Sequence, residues 1–415
     1  MSYQTSALVQ NPTAAGSSLE RVLRKINCKK FASTLTSHSK ESSKGYMKNV
    51  HVCATLVFVV GTIARIDDQT FWRFDKSISI FRINNVKNVK NNIVKNKIIP
   101  RNITMERHVN GSVTYHLLAI TDIDRGEKED VKKWTWRAIT RRGRLTLSAD
   151  KKTVNVEWIK GSDRNLTSGF NHKGRGMELS DLSEFNGHLL APDDKTGMLY
   201  EIKGEKAIPW VFLNSGPGNT TEGMKIEWLT VKDGKVYAGG HGCELWNKTG
   251  HVISENQMWI KVISKGGQVR SKNWRNVYRR MRKAAGYGTP GYLKHEAVQW
   301  SPIQRMWYFL PRRASTTRFN AKEDERKGAN LLILAKSNLK QFFVVRIGKL
   351  EHPERGFSAL DFIPNTDDKL MIALKTEEMG RATKSYFTVF SLNGTVLLPD
   401  QKLDDHYKFE GICFV

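Results

Sequence analysis

The chain has 415 residues, 39% of them hydrophobic and 26% charged, a composition typical of a globular protein with one large domain or two ordinary ones. Its 67 Lys and Arg against 41 Asp and Glu give a formal net charge of +26, which favours a polyanionic partner. Residues 1–102 alone hold 17 basic and 5 acidic residues, a net of +12, so a nucleic-acid partner is not expected for the remainder. The four cysteines show no CxxC or Cys/His spacing, so neither a disulfide scaffold nor a zinc site is expected.

The N-terminal part of the chain divides into three segments by composition. Residues 1–49 form a basic tail, residues 50–66 hold an uninterrupted apolar run, and residues 67–112 form a stem rich in Asn and Lys. The apolar run predicts a signal-anchor, although roughly 20 apolar residues are needed to span a bilayer comfortably. A buried strand or a late signal peptide is the alternative. The basic flank predicts a cytosolic tail and a lumenal remainder, with the membrane as a partner.

Glycosylation sequons support the secretory interpretation. Six N-x-[ST] tripeptides follow the apolar run, as expected of a chain that enters the secretory pathway. They begin at Asn102, Asn110, Asn165, Asn219, Asn247 and Asn393. We therefore expect a glycosylated type II membrane protein, or a secreted protein if the anchor is cleaved.

From residue 113 to residue 415 the sequence predicts an all-β domain. Short runs rich in Val, Ile, Tyr and Trp alternate with turn dipeptides such as Asn186-Gly187, Asp233-Gly234 and Asn393-Gly394. Residues 273–285 are the exception, because they predict a basic surface helix without a catalytic role.

Five segments of this domain resemble one another. Each places one Ser or Glu inside a strand-like run, and the separations between these residues are 47, 69, 62 and 52, which suit the blades of a propeller. The five polar residues are Ser180, Glu227, Glu296, Ser358 and Glu410. A turn signal follows six residues after each of the first four, and then a second strand. The repeat predicts a five-bladed β-propeller; unrelated solvent-facing positions in a β-sandwich are the alternative.

The fifth repeat predicts how the propeller closes. Glu410 lies five residues from the end of the chain, so no sequence remains for the hairpin partner of its strand. Because a propeller closes by pairing the two ends of its chain in one blade, we expect residues 114–120 to supply that partner.

The repeat also predicts a metal site. Equivalent positions on the inner strands of a propeller point at its axis, so the five repeated residues would converge on one small volume. Three carboxylates there require a cation, and hydroxyl and carboxylate oxygens are the hard ligands that Ca²⁺ prefers. We therefore expect calcium as the cofactor, with Asp181 as a further ligand or as a group that orients a bound water.

Longer motifs carry a resemblance to a known family. They occupy residues 174–182, 193–197, 207–211, 310–315, 324–331 and 363–368. These motifs resemble those of the soluble calcium-activated nucleotidases from about residue 113 to the end. The resemblance implies a five-bladed propeller with axial calcium that hydrolyses nucleotides such as UDP, GDP, ADP or ATP and releases phosphate. It also implies either secretion or a type II protein of the Golgi and endoplasmic reticulum.

Five further residues are candidates for catalysis or substrate binding. Arg312 and Arg313 offer planar guanidinium groups suited to phosphate, or else form a surface ion pair. Asp122 and Asp124 follow the first strand, where a carboxylate can act as a base or orient water, or one of them can cap the strand end. Trp228 either stacks on a nucleobase or belongs to the core.

Two other functions fit parts of the sequence. A nucleic-acid-binding propeller would suit the charge, but residues 273–284 are the only basic stretch with interleaved aromatics. A catalytically inert, calcium-stabilised interaction propeller would keep the metal site without hydrolysis. The sequence leaves homodimerisation and the preferred nucleotide open.

Overall fold

The computed structural model describes residues 101, 103–123, 135–404 and 406–415, and every structural statement here concerns those residues. The predicted tail, the signal-anchor, most of the stem and Asp124 lie outside them. None of the described helices is long and apolar enough to cross a membrane. The described chain is nearly all β, as the sequence predicts.

The first strands form an antiparallel group around a long central hairpin. They are β1 (Met105–Arg107), β2 (Val113–Asp122), β3 (Trp136–Leu147), β4 (Val154–Trp158) and β5 (Arg164–Ser168). β2 is rich in apolar and β-branched residues, and from its fifth residue, Leu117, onward every residue is buried on both faces of the strand. β1 pairs with β2 through Met105 and Tyr115, so this sheet includes residues that the sequence assigned to the stem.

The second group is a meander of four short antiparallel strands. They are β6 (Ser183–Phe185), β7 (His188–Pro192), β8 (Met198–Lys203) and β9 (Lys206–Phe212). Asn186 and Gly187, with φ of 56° and 82°, turn the chain between β6 and β7, as the sequence predicts for this dipeptide. One parallel bridge between Thr167 and Lys206 joins this group to β5.

The third group adds a small hairpin and a helix to its four strands. Its elements are β10 (Trp228–Lys232), β11 (Lys235–Gly239), β12 (Leu245–Trp246), β13 (Val252–Ser254), a 3-10 turn (Asn256–Met258), β14 (Trp259–Ile263), β15 (Val269–Asn273) and α1 (Arg275–Ala284). The sheet order is β10-β11-β14-β15, and β12 pairs only with β13. Helix α1 confirms the predicted helix, and its Tyr278 and Met281 are buried in the core.

Two further four-stranded antiparallel sheets follow, and a last strand ends the chain. Their elements are β16 (Tyr292–Ser301), β17 (Met306–Ser315), α2 (Ala321–Asp324), β18 (Leu331–Lys336), β19 (Phe342–Arg346), β20 (Arg355–Phe362), β21 (Leu370–Met379), β22 (Ala382–Ser391), β23 (Val396–Asp404) and β24 (Lys408–Phe414). The sheet orders are β16-β17-β18-β19 and β20-β21-β22-β23. The hairpins β10–β11, β16–β17 and β20–β21 confirm the predicted second strands.

The C-terminal strand pairs with the N-terminal part of the described chain. β24 runs antiparallel to β2, with Leu117 opposite Phe414 and Ile120 opposite Gly411. This pairing confirms the prediction that residues 114–120 supply a partner strand for the last repeat.

Apolar side chains fill the spaces between consecutive sheets. One core cluster joins β2, β3 and β24 to β20–β22, and another joins β16–β18 to β20–β22. Side chains of one sheet also accept hydrogen bonds from backbone N–H groups of the next: Thr230 Oγ1 accepts from Trp300 at 2.8 Å, and Asp361 accepts from Phe414 at 3.0 Å. The result is a propeller-like arrangement in which the first strands β6, β10, β16, β20 and β24 succeed one another side by side.

Candidate active site

The five repeated Ser and Glu residues lie at equivalent places on the first strands of the sheets. Ser180 lies three residues before β6, Glu227 immediately precedes β10, and the other three lie within β16, β20 and β24. All five side chains are buried, with residue exposures between 0 and 5%. A set of oxygen donors is thus held away from bulk water on rigid strands.

Shared cations bring the three glutamates together. His241 Nε2 lies 2.9 Å from Glu227 Oε1 and 2.9 Å from Glu296 Oε1. The guanidinium of Arg312 contacts Glu296 and donates to Glu410 Oε1 at 2.6 Å. The three carboxylates therefore surround one small volume, as the repeat predicts.

The two serines line the same strands but touch backbone rather than carboxylates. Ser180 Oγ donates to the carbonyl of Glu178 at 3.3 Å, and Ser358 Oγ donates to the carbonyl of Phe409 at 3.4 Å. Ser358 thus lies beside the residue that precedes Glu410, and both hydroxyl oxygens keep lone pairs when they donate.

The second strand of each hairpin contributes a further polar residue at the same end. These residues are Asp122, Asp194, His241, Arg312 and Glu378. The sequence analysis singled out Asp122 and Arg312 but missed the other three. The missing signal was hairpin pairing: Trp228 lies opposite Gly239 across the Asp233-Gly234 turn, so a count across this turn reaches Gly240, the residue before His241.

Two lysines form ion pairs that connect these residues into a ring of contacts. Lys408 Nζ lies 2.6 Å from Asp122, 3.3 Å from Glu378 and 3.6 Å from Glu410. On the other side, Lys225 contacts both Glu227 and Asp194. Asp122, Glu178 and Asp194 close this ring of contacts, because each offers a carboxylate oxygen within 4.8 Å of the other two.

We call this set the charge ring and define it by its members. Its carboxylates are Asp122, Glu178, Asp194, Glu227, Glu296, Glu378 and Glu410, and its permanent cations are Arg175, Lys195, Lys225, Arg312 and Lys408. Among the described residues, seven carboxylates and five permanent cations thus share one site, with His241 uncounted.

Burial and the neighbouring cations set the pKa values of the glutamates in opposite directions. Burial acts to raise the pKa of Glu227, but His241 and Lys225 outweigh it and hold that pKa well below its usual range. The pKa of Glu296 is likewise lowered, because Arg312 and His241 overcome the effect of burial. Burial dominates at Glu410 and raises its pKa. Glu227 and Glu296 therefore keep their negative charge because of the cationic side chains that contact them.

One part of the charge ring exposes cations to solvent, and Glu378, with 36% of its side-chain area exposed, is the ring carboxylate that also reaches solvent. Three cations are its most exposed basic side chains: Arg175 at 35%, Lys195 at 29% and Lys225 at 28% of side-chain area. The carboxylates that they contact are at most 2% exposed. An anion that approaches from solvent therefore meets these cations first, with buried carboxylates behind them.

Asp181 does not lie in the charge ring. Its two carboxylate oxygens accept backbone N–H groups, one from Leu182 at 2.8 Å and one from Leu229 at 2.6 Å. Burial raises its pKa well above the usual range. Asp181 links the sheet of β6 to the sheet of β10 through both oxygens, and its role as a metal ligand or as a group that orients water stays a prediction.

Trp228 and Arg313 lie close to the charge ring but face other groups. Trp228 is fully buried in the core beside Trp274, and its indole N–H donates to the carbonyl of Gly240 at 3.1 Å. It has no exposed face for a nucleobase. Arg313 is also buried, which lowers its pKa, and it donates to the carbonyl of Glu354 at 3.1 Å. Of the two predicted guanidinium groups, the structure brings only Arg312 into the charge ring.

Comparisons with known proteins agree with this architecture. The sequence profile of the family described as Apyrase matches residues 123–415. An apyrase of Caenorhabditis elegans is 43% identical over 75% of this chain and 87% of its own length. The soluble calcium-activated nucleotidase 1 of Rattus norvegicus is 46% identical over 74% and 75% of the two chains, and an apyrase of Cimex lectularius is 39% identical over 74% and 84%. These matches confirm the resemblance that the motifs predict, and the chain belongs to the apyrase family.

Proposed function

We propose that this chain hydrolyses nucleoside di- and triphosphates at the charge ring, with release of inorganic phosphate and with a requirement for calcium. The observation that carries the proposal is the part of the charge ring where three partly exposed cations, Arg175, Lys195 and Lys225, contact buried carboxylates. This arrangement suits a substrate that carries several negative oxygens and a reaction that needs a carboxylate beside them. Family membership and the name of the rat relative support the same activity.

The fold part of the proposal is a five-bladed propeller around the charge ring. Five antiparallel groups, the succession of first strands and the pairing of β24 with β2 support it. In this arrangement each blade delivers one residue from its first strand and one from its second strand to the axis.

Calcium is the cofactor that fits this donor set. Ser180, Glu227, Glu296, Ser358 and Glu410 would hold it through hydroxyl and carboxylate oxygens, the hard ligands that calcium prefers. A thiolate is absent from this part of the described chain, and His241 is engaged by two glutamates, so a softer metal is not favoured. When bound, the ion would neutralise phosphate oxygens and favour displacement at phosphorus.

Side chains of the charge ring would bind the phosphates and accept the proton of the attacking water. Arg175, Lys195 and Lys225 would hold the oxygens of the terminal phosphate by charge-assisted hydrogen bonds. Asp194 Oδ1 is buried and has no hydrogen-bond partner among the described residues, so it is placed to accept the proton of an attacking water. Water oxygen bonds to the terminal phosphorus, the bond from phosphorus to the bridging oxygen breaks, and the released nucleotide takes the electron pair.

The predicted catalytic residues take more specific roles in this proposal. Lys408 holds Asp122 at 2.6 Å, so Asp122 stays beside Asp194 as a second carboxylate. Arg312 acts on Glu296 and Glu410 rather than as a free phosphate clamp. Asp124, outside the described residues, remains a candidate base, and Arg313 remains a candidate for substrate binding that would have to change its contacts.

We also propose that the protein follows the secretory route. The asparagines of all five sequons that fall on described residues are exposed: Asn110, Asn165, Asn219, Asn247 and Asn393. Exposure is what attachment of a glycan requires. Expression in animal cells, followed by glycosidase digestion and separation of membrane from medium, would distinguish an anchored form from a secreted form.

Phosphate release by the full chain tests the proposed activity. With calcium present, purified protein should release phosphate from UDP, GDP, ADP or ATP, and a calcium chelator should abolish the release. The alternative, an inert interaction propeller, predicts calcium-dependent stabilisation of the fold without any phosphate release. That second result would refute the proposed hydrolysis while it left the metal site intact.

A further inference from the structure

Two stretches of the chain are rich in basic residues and contain no acidic residue. Residues 256–295 hold ten Lys and Arg, and residues 326–350 hold six, with neither Asp nor Glu in either range. The first range includes β14, β15 and α1, and the second includes β18 and β19. Cations within these elements therefore find no counter-charge close to them in the sequence.

Strand β15 turns two of these cations toward the neighbouring sheet. Arg270 and Lys272 on β15 lie opposite Val262 and Ile260 on β14. Directly opposite residues of an antiparallel pair share one face of the sheet. Val262 and Ile260 pack in a core cluster with side chains of β17 and β18. Arg270 and Lys272 therefore border the space between the β10–β15 sheet and the β16–β19 sheet.

Helix α1 and strand β19 add cations to the same border. Arg280 and Lys283 are exposed on α1, and Arg280 donates to the carbonyl of Leu339, in the turn before β19, at 3.2 Å. On β19, Arg346 lies on the same face as Phe342, which packs against the same core cluster. We call the six exposed cations of this border the basic rim: Arg270, Lys272, Arg280, Lys283, Lys340 and Arg346.

The basic rim lacks acidic partners. Glu255 pairs with Arg275 and Arg279 at the start of α1, whereas none of the six rim cations contacts a carboxylate of the described residues. Like charges that are held close together repel one another and destabilise the compact state. A bound polyanion would remove this repulsion.

The aromatic side chains near the basic rim distinguish between classes of polyanion. Trp274 and Tyr278 are only 6% and 1% exposed, and Phe343, exposed on β19, lies on the opposite face from Arg346. Proteins that bind single-stranded nucleic acids combine cations with exposed aromatic faces on which the bases stack. These three aromatics offer the rim no such face, so the rim suits a polyanion that is recognised by its charge alone.

We propose that the basic rim binds a linear sulfated polysaccharide of the heparin class. The sulfate groups of such a chain stay negative at physiological pH and recur along its length, so they can meet cations spread over two strands and a helix. The choice of a polysaccharide also rests on the proposed secretory route, because sulfated polysaccharides occur in that pathway and outside cells. It does not depend on the proposed hydrolysis, since no rim residue belongs to the charge ring.

Binding of a heparin oligosaccharide of defined length to the full chain tests the proposal. At physiological ionic strength the wild type should bind it, and the double variant Lys272→Ala/Lys283→Ala should show a Kd about tenfold higher. The slope of log Kd against log salt concentration should decrease by about two, because two fewer counterions are released. The thermal midpoint and phosphate release should match those of the wild type, because both lysines are exposed.

The double variant Lys152→Ala/Lys203→Ala is the matched control, because it removes two exposed lysines from the first two groups of strands. It should leave the Kd for heparin unchanged. No binding of heparin by the wild type, an unchanged Kd in the rim variant or an equal loss in both double variants overturns the proposal. Equally tight binding of desulfated heparin also overturns it, because charge would then not be what is recognised.

Two other polyanions complete the test. Tighter binding of a single-stranded RNA of equal charge, or of vesicles that contain anionic lipids, would assign the basic rim to that partner and overturn the polysaccharide. Rim-dependent binding of heparin by a wild type that releases no phosphate would count against the proposed hydrolysis alone. The same binding by a protein that animal cells keep unglycosylated in the cytosol would count against the secretory route alone.

Discussion

Asp181 shows how a residue beside a functional position can serve the fold instead. Successive residues of an extended chain point to opposite sides, so Ser180 and Asp181 cannot both face the axis. Asp181 instead accepts the N–H groups of Leu182 and Leu229, and this satisfies two buried backbone donors at the junction of two sheets. The same use of a side chain recurs at Asp361, which accepts from Phe362 and Phe414.

Replacing Asp181 with Asn tests this structural role. One of the two accepting oxygens becomes an amide group that cannot accept, so one buried N–H loses its partner and the free energy of unfolding should fall by about 1–3 kcal/mol. Urea unfolding of the two proteins measures the difference. Asp233→Asn, at an exposed turn, should have no measurable effect.

The loss in Asp181→Asn should be the same with calcium and with a chelator. A metal ligand would behave differently, because its loss would also reduce the stabilisation that calcium gives. If the variant and the wild type had the same free energy of unfolding in chelator, and the variant were less stable only with calcium, Asp181 would be a metal ligand.

At the scale of elements, the pairing of β24 with β2 places a glycine at a crowded point. A Cβ on Gly411 would lie 2.5 Å from Ile120 Cγ2 and 2.7 Å from the carbonyl carbon of Asp181. Both neighbours belong to packed segments, so neither can move without disturbing the closure or the adjacent sheet. Glycine is therefore required where the last strand passes between the two.

Gly411→Ala should destabilise the protein by about 1–3 kcal/mol, the usual cost of adding atoms to a packed interior. The thermal midpoint should fall accordingly. Gly169→Ala is the matched control, because nothing lies within 4 Å of its Cβ position. Equal midpoints for the Gly411 variant and the wild type would show that the closure is looser than the contacts indicate.

Pairing of elements also explains how much of the site the sequence predicts. The first strands were found because each repeats one polar residue inside an apolar run, and Glu227, Glu296 and Glu410 do converge. The second strands carry Asp, His, Arg or Glu at the equivalent place, so no repeated residue type marks them. Bulges next to His295 shift the register between β16 and β17, so even a count across the turn would misplace Arg312.

The side chains that surround Trp228 show a second limit of prediction from the sequence. Its position next to Glu227 suggested a contact with substrate, but the alternation along β10 turns its indole toward Trp274 and the core. The stacked rings of Trp246 and Phe319, in contrast, belong to residues that are 73 positions apart in the sequence. A contact between loops of that separation depends on tertiary packing, which neither periodicity nor a motif reports.

On the scale of the whole molecule, the net charge of +26 gave little guidance to function. The useful asymmetry is local: among the described residues the charge ring holds more carboxylates than permanent cations, and Arg175, Lys195 and Lys225 reach solvent. Buried carboxylates are unfavourable unless cations compensate for their charge. Under the proposal that calcium binds there, calcium should stabilise the protein as well as activate it.

Glu296→Gln tests this coupling most directly, because it keeps the shape of a side chain that contacts both His241 and Arg312 and removes one formal charge. Phosphate release and the thermal midpoint are measured across one calcium titration for the wild type, for this variant and for Glu323→Gln, an exposed control. We predict that Glu296→Gln needs about tenfold more calcium for half-maximal activity, and that calcium raises its midpoint less than that of the wild type. An unaltered calcium requirement in Glu296→Gln would contradict the assignment of the charge ring as the calcium site.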